Sequence, residues 1–148
     1  MFDDGRDLSN TSQIVSLHAR KAFAGKVSED RQLSKGRKVI FVSLHADYDP
    51  RDMRKNFGVY IDAPRGQHAS AEDQAFAKKL VGAFGGAAFV KEQGLYALRN
   101  NKAAERVLIE LGNVRNRDEL VALLADKQGR QKLVRRLTKG FRLALEDK

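Results

Sequence analysis

The stretch VLIELGNVRN, Val107 to Asn116, decides how this chain is read. Four strand-forming residues surround one carboxylate, Glu110, and the run then breaks into Gly112, Asn113 and Asn116. A second run, KVIFVSLHAD (Lys38 to Asp47), has the same design, with His45 and Asp47 at its end. Near-continuous apolar runs of this length are the pattern of strands buried on both faces in a parallel sheet. In such sheets ligands gather beyond the carboxyl ends of the strands, which is where His45, Asp47 and Glu110 fall. Two strands that finish in ionisable side chains are candidate walls of one site.

Working outward, Val15, His18, Ala19, Ala22 and Phe23 recur at helical spacing, and Gly25 is expected to cap that helix. NFGVYIDA reads as a further short strand. Ser70 opens the clearest helix. Ser-Ala-Glu-Asp has the capping-box arrangement with Asp73 in the Glu position, Phe76, Leu80 and Phe84 recur every fourth residue, and Gly85-Gly86 end the helix. AAFVKEQGLYALRN reads as two short strands about Gly94, or as a strand and a loop. Asp118 is expected to start a helix through Leu124, and Leu133, Leu137, Phe141 and Leu145 form one stripe on a last helix. Strands alternating with helices predict an α/β fold, with a mainly parallel central sheet flanked by helices.

The 148 residues suffice for one domain and one core. No apolar stretch is long enough to span a bilayer, and the polar, acidic start MFDDGRDLSN shows no signal peptide. With no cysteine, any metal must sit on His, Asp and Glu. A net charge of +9 points to an anionic partner, whether nucleic acid, an anionic wall polymer or a membrane surface. The charge is densest from Lys127 to Arg142, where the plain reading is a helix with a solvated face. That segment lacks the interleaved aromatics of single-strand binders, so nucleic acid rests on charge alone and is not favoured. Gly85-Gly86 lacks the spacing and lysine of a phosphate loop, and no nucleophile elbow is present.

Glu110, between Ile109 and Leu111, loses hydration unless it is paired or lies at an open edge. It is either ion-paired with an arginine such as Arg106 or Arg115, or a functional acid or base. His45 is either a satisfied structural histidine or a ligand whose imidazole Asp47 could orient. For His18 on its helix and His68 in its loop, the structural reading prevails over a functional one.

Taken together, FVSLHAD, the later YALRNN and VLIELGNVRN resemble the zinc-dependent N-acetylmuramoyl-L-alanine amidases of the type 3 family. The upstream SLHARKAFAG is similar to a conserved segment of that family, with Ser16, Leu17 and Arg20 matching and Gly25 where Asn is usual. The resemblance implies that His45 is a Zn2+ ligand and that Glu110 is the catalytic carboxylate beside the metal. Asp47, Arg99, Asn113 and Asn116 are the implied supporting or substrate-contacting residues. It also implies peptidoglycan or muropeptides as substrate and an extracytoplasmic location. The family's D-x-G-H-G motif and a later glutamate, which supply the other zinc ligands, have no counterpart in this chain. The expectation is therefore a loop or disordered stretch over 1–15 and a partial catalytic domain over 16–148. That domain would lack the family's first strands, hold an incomplete zinc site and leave an apolar sheet edge prone to aggregation. A non-catalytic wall-binding relative is the alternative.

Overall fold

The computed structural model describes residues 13–30, 35, 37–47, 57–85, 88–99, 101–113, 115–119 and 125–146. The chain forms helix α1 (Gln13–Glu29), strand β1 (Ile40–Asp47), β2 (Gly58–Asp62), helix α2 (Ala71–Phe84), β3 (Phe89–Gln93) and β4 (Glu105–Asn113). One helical turn, Arg117–Glu119, and the long helix α3 (Lys127–Glu146) follow. The expected N-terminal loop falls mostly on residues 1–12, outside the described residues, as does the stretch 120–124 of the helix expected from Asp118.

The four strands lie in the order β1-β4-β2-β3. β1 runs parallel to β4 and β2 parallel to β3, while β2 and β4 are antiparallel. The sheet is thus mainly parallel by pairing, with α2 as the crossover that parallel β2 and β3 require. One end of the sheet collects the carboxyl ends of β1 and β4 and the amino ends of β2 and β3.

Side chains alternate across a strand, so Val59 and Ile61 of β2 and Val107 and Ile109 of β4 share one face. All four are fully buried, in one cluster with Phe76, Ala77 and Leu80 of α2 and Ala144 of α3. Removing this much apolar surface from water is the main favourable term in the fold. Ser70 caps α2 by accepting a hydrogen bond from the Asp73 amide at 3.1 Å. Gly85, at φ 61°, ends the helix, its N–H donating to Val81 O. α3 lies on α2 with Phe76 and Phe141 rings 6.3 Å apart. Gly140 lets the helices approach: a Cβ there would stand 3.2 Å from the Phe84 ring and 3.4 Å from Leu80.

Four sequence expectations are corrected. Gly25 does not cap α1, which continues to Glu29; it is a buried interior position whose absent Cβ would lie 3.7 Å from the Lys102 stem. An interior glycine costs a helix only about 1 kcal/mol. Asp73 does not complete the capping box, because its carboxylate turns to Arg106, a charged and therefore stronger donor. Leu145 leaves the inward stripe and is 49% exposed, with Ala144 in its place. Four-residue steps overrun the 3.6-residue turn by about 40° each, so the stripe has rotated off the core by its fourth member. Finally, β1 is not buried on both faces. It is the terminal strand of the described sheet, beyond the cover of α2, and Leu44 is 54% exposed.

Candidate functional site

β1 and β4 pair in parallel register from Ile40 opposite Glu105 to His45 opposite Glu110. Val42 of β1 packs against the core, so by alternation Ser43 and His45 project from the other face, alongside Glu110. The two end residues that the sequence singled out are therefore lateral neighbours on the face away from α2. The His45 Nδ1 to Glu110 Oε1 distance is 4.0 Å, with the histidine side chain 43% exposed and the glutamate side chain 17%. His45 is open to solvent, while Glu110 Oε2 is shut off from it.

The other imidazole nitrogen is engaged as well. His45 Nε2 and Ser43 Oγ lie 2.9 Å apart, a hydrogen bond between residues two apart on one strand face. Ser43 was not singled out from the sequence, although its signal was there: in S-x-H on a strand, both side chains must share a face. The hydroxyl helps hold the ring plane and, able to donate or accept, is compatible with either imidazole tautomer.

Beyond this pair the register slips. His45 is opposite Glu110, but Asp47 is opposite Asn113, so β4 spends three residues where β1 spends two. This is a β-bulge, a device that locally bends a strand and re-aims the side chains beyond it. Gly112 takes φ 148°, a backbone readily open only to glycine. The Gly-Asn break in VLIELGN is thus a bulge that brings Asp47 and Asn113 together in the layer beyond His45 and Glu110. Asn113 and Asn116 are buried and shape the exit from β4. Asn113 Oδ1 accepts from Arg115 N at 3.0 Å, and Asn113 O accepts from Asn116 N at 2.9 Å. Of Asp47 only the backbone placement is described.

On its other side Glu110 faces Gly58 of β2. A Cβ on Gly58 would come within 2.8 Å of both the Tyr60 and Phe89 rings, so glycine is needed for these aromatics to close over the strand. They meet edge to face with centroids 5.8 Å apart.

Arg99 is not brought to this group. It lies 3.7 Å from Asp62, at the far end of β2 from Gly58. Asp62 is four strand steps from Gly58, about 13 Å at the usual strand rise. Asp62 also accepts from Leu95 N at 2.7 Å, so this arginine and carboxylate tie down the turn after β3. Arg106, a possible partner for Glu110, is instead committed to Asp73. His68 is an exposed loop residue 3.5 Å from Glu92, and only the backbone of His18 is described.

For a metal, His45 offers one imidazole ligand, and Glu110 at 4.0 Å stands beside it as the carboxylate expected next to the ion, too far for both to ligate one tetrahedral zinc. No third His, Cys, Asp or Glu joins them among the described residues. A catalytic zinc takes about three protein ligands, so the described donors do not form a complete zinc site.

A parallel strand pair thus ends in a histidine and a glutamate on the face away from the helix-covered core. The family model for N-acetylmuramoyl-L-alanine amidase matches residues 7–142, and the chain belongs to that family. The match begins ahead of Ser16, where the sequence resemblance first becomes visible. No curated protein sequence matches the chain significantly. Among solved structures, the CwlD amidase of Clostridioides difficile, in complex with the GerS lipoprotein, matches with a TM-score of 0.66 at 16% identity, over 97% of this chain and 70% of that one. The catalytic domain of CwlV, an N-acetylmuramoyl-L-alanine amidase of Bacillus (Paenibacillus) polymyxa var. colistinus, matches with a TM-score of 0.59 at 15% identity, over 90% and 85%. The apo amidase of Mycobacterium abscessus matches with a TM-score of 0.56 at 25% identity, over 72% and 55%. The first two likenesses show a shared fold. Among the described residues, no helix is long and apolar enough to cross a membrane.

Proposed function

We propose that the protein acts on peptidoglycan outside the cytoplasm, hydrolysing the amide between the lactyl group of muramic acid and L-alanine, with Glu110 as the acid–base group. The observation that carries this is the His45–Glu110 pair at the ends of adjacent parallel strands, in a member of the amidase family. Hydrolysis needs a proton taken from attacking water and a proton given to the departing amine. One carboxylate held beside both can do each in turn. Glu110 is suited to this because its strand fixes its position and its burial keeps it poorly hydrated. His45, held by Ser43, is one proposed zinc ligand. A zinc ion, where bound, would polarise the scissile carbonyl. One imidazole falls short of the roughly three ligands that a catalytic zinc takes.

The same shortfall favours a second reading, a wall-binding relative that does not cleave. Zinc stoichiometry and release of L-alanine-terminated peptides from muropeptides separate the two. Cleavage lost in Glu110→Gln, with bound zinc lost in His45→Ala, supports the amidase. A folded chain that holds no zinc and releases no peptide from muropeptides, with zinc supplied, rejects it in favour of the second reading.

A further inference from the structure

Amide hydrolysis by the His45–Glu110 pair leaves α3 unexplained. The inner face of this helix is occupied: Leu133, Gly140 and Ala144 are buried and Leu137 and Phe141 half-buried against α2. Its outer face carries an unusual charge density. Lys127–Glu146 holds seven of the chain's 28 basic residues and one of its 19 acidic residues, giving +6 of the net +9. The remaining chain is close to balanced.

We propose that the outer face of α3 is a docking surface for a linear phosphodiester polymer of the cell wall, of the polyol-phosphate type. Lys132, Arg135, Arg136, Lys139 and Arg142 are all exposed. They follow one another at steps of three, one, three and three residues, and they cover one outward arc of the helix. From Lys132 to Arg142 the ladder is about 15 Å long. Arg142 is paired with Glu146, and the other four have no ion pair among the described residues. Lys132 with Arg136, and Arg135 with Lys139, are like charges one helical turn apart, a spacing that destabilises a helix. A face built only for solubility relieves this by alternating signs, whereas this one leaves the repulsion for an anion to remove.

The ligand's chemistry follows from what accompanies the cations. Gln131 and Thr138 are exposed on the same arc, while the helix's one aromatic, Phe141, turns inward. The surface offers hydrogen-bond donors for phosphates and no platform for stacking bases, which argues against nucleic acid. The broad apolar face that would enter a bilayer is committed to α2, and the exposed Val134, Leu143 and Leu145 form no second continuous one, which argues against a membrane. Choosing a wall polymer among polyanions rests on the peptidoglycan reading; the charge geometry does not.

The test titrates the full chain with poly(glycerol phosphate) at 50 and 200 mM salt. Duplex DNA and phosphatidylglycerol vesicles serve as competing anions, and the triple variant Lys132→Glu/Arg135→Glu/Lys139→Glu as the probe. Wild-type affinity should fall about 50-fold across that salt range, as expected for roughly four phosphate contacts. The triple variant should bind at least tenfold more weakly at 50 mM salt, with an unchanged melt because all three residues face solvent. Cleavage of soluble muropeptides free of the polymer should be equal in the two proteins. Equal polymer binding by the variant overturns the proposal, and tighter binding of DNA or vesicles reassigns the face to that anion and overturns it too. Absence of muropeptide cleavage by the wild type bears on the proposed activity and leaves polymer binding to be judged by its own titration.

Discussion

β4 carries an ionisable pair at each end, and the two are built differently. At its start, Asp73 of α2 is fully buried and accepts from both the Arg106 amide and the Arg106 guanidinium at 2.7 Å. Next to it, Glu105 is ion-paired with Lys38. At its end, Glu110 and His45 stand 4.0 Å apart, too far for a hydrogen bond, with His45 open to solvent. The first pair closes contacts and fastens α2 to the sheet. The second leaves a gap between two ionisable groups. The difference separates a charge pair closed in contact from one held apart, and burial alone does not reveal it.

That contrast can be broken experimentally, beginning where the effect is largest. Asp73→Ala should destabilise the protein by about 3–5 kcal/mol, because it strands the Arg106 guanidinium in a partly buried setting. Asp73→Asn should cost less, and denaturant midpoints decide both. If Asp73→Ala melts like the wild type, the start of β4 does not anchor α2. Glu110→Gln should do the reverse. Its stability should stay within about 1 kcal/mol of wild type, while muropeptide cleavage falls by about 10²- to 10⁴-fold. A large loss of stability would instead place Glu110 with the structural pair.

Smaller effects sharpen the comparison. Gly112→Ala forces a β-carbon onto a backbone at φ 148° and should cost about 1–3 kcal/mol. It should also disturb the bulge, so backbone amide shifts should move at Asn113 and on the neighbouring strand at His45. Shifts confined to residues 111–113 would show that the bulge does not position the pair. Ser43→Ala should be the mildest, changing stability by less than about 1.5 kcal/mol. Its readout is the His45 ring: loss of the Nε2 partner should change the ring ¹⁵N shifts. An unaltered ring spectrum would remove Ser43 from the site.

Much of the site is legible in the sequence, because strand ends are a local property. The apolar runs ending in His45, Asp47 and Glu110 had to be strands, and ionisable groups at such ends have few places to go. Arg99 shows the limit. A leucine-arginine segment says nothing about which end of the sheet it joins, and β2 runs antiparallel to β4, which carries Arg99 with Asp62 to the far end. Ser43 shows the converse, a residue in plain view whose contact with His45 only the structure brings out.

The sequence by itself determined the strands and helices, the Ser70 cap, the inward stripe of α3 as far as Phe141, and the family resemblance. These depend on residue types at fixed short spacings, and period-2 and period-3.6 patterns are properties of the local backbone. Only the tertiary structure decided the order β1-β4-β2-β3, the mixed strand direction, the commitment of Arg106 to Asp73, and the register that sets His45 opposite Glu110. Each of these is a contact between residues far apart in the chain. Such contacts are selected by how whole faces bury against one another and by which charge finds the better partner, and no local pattern records that choice.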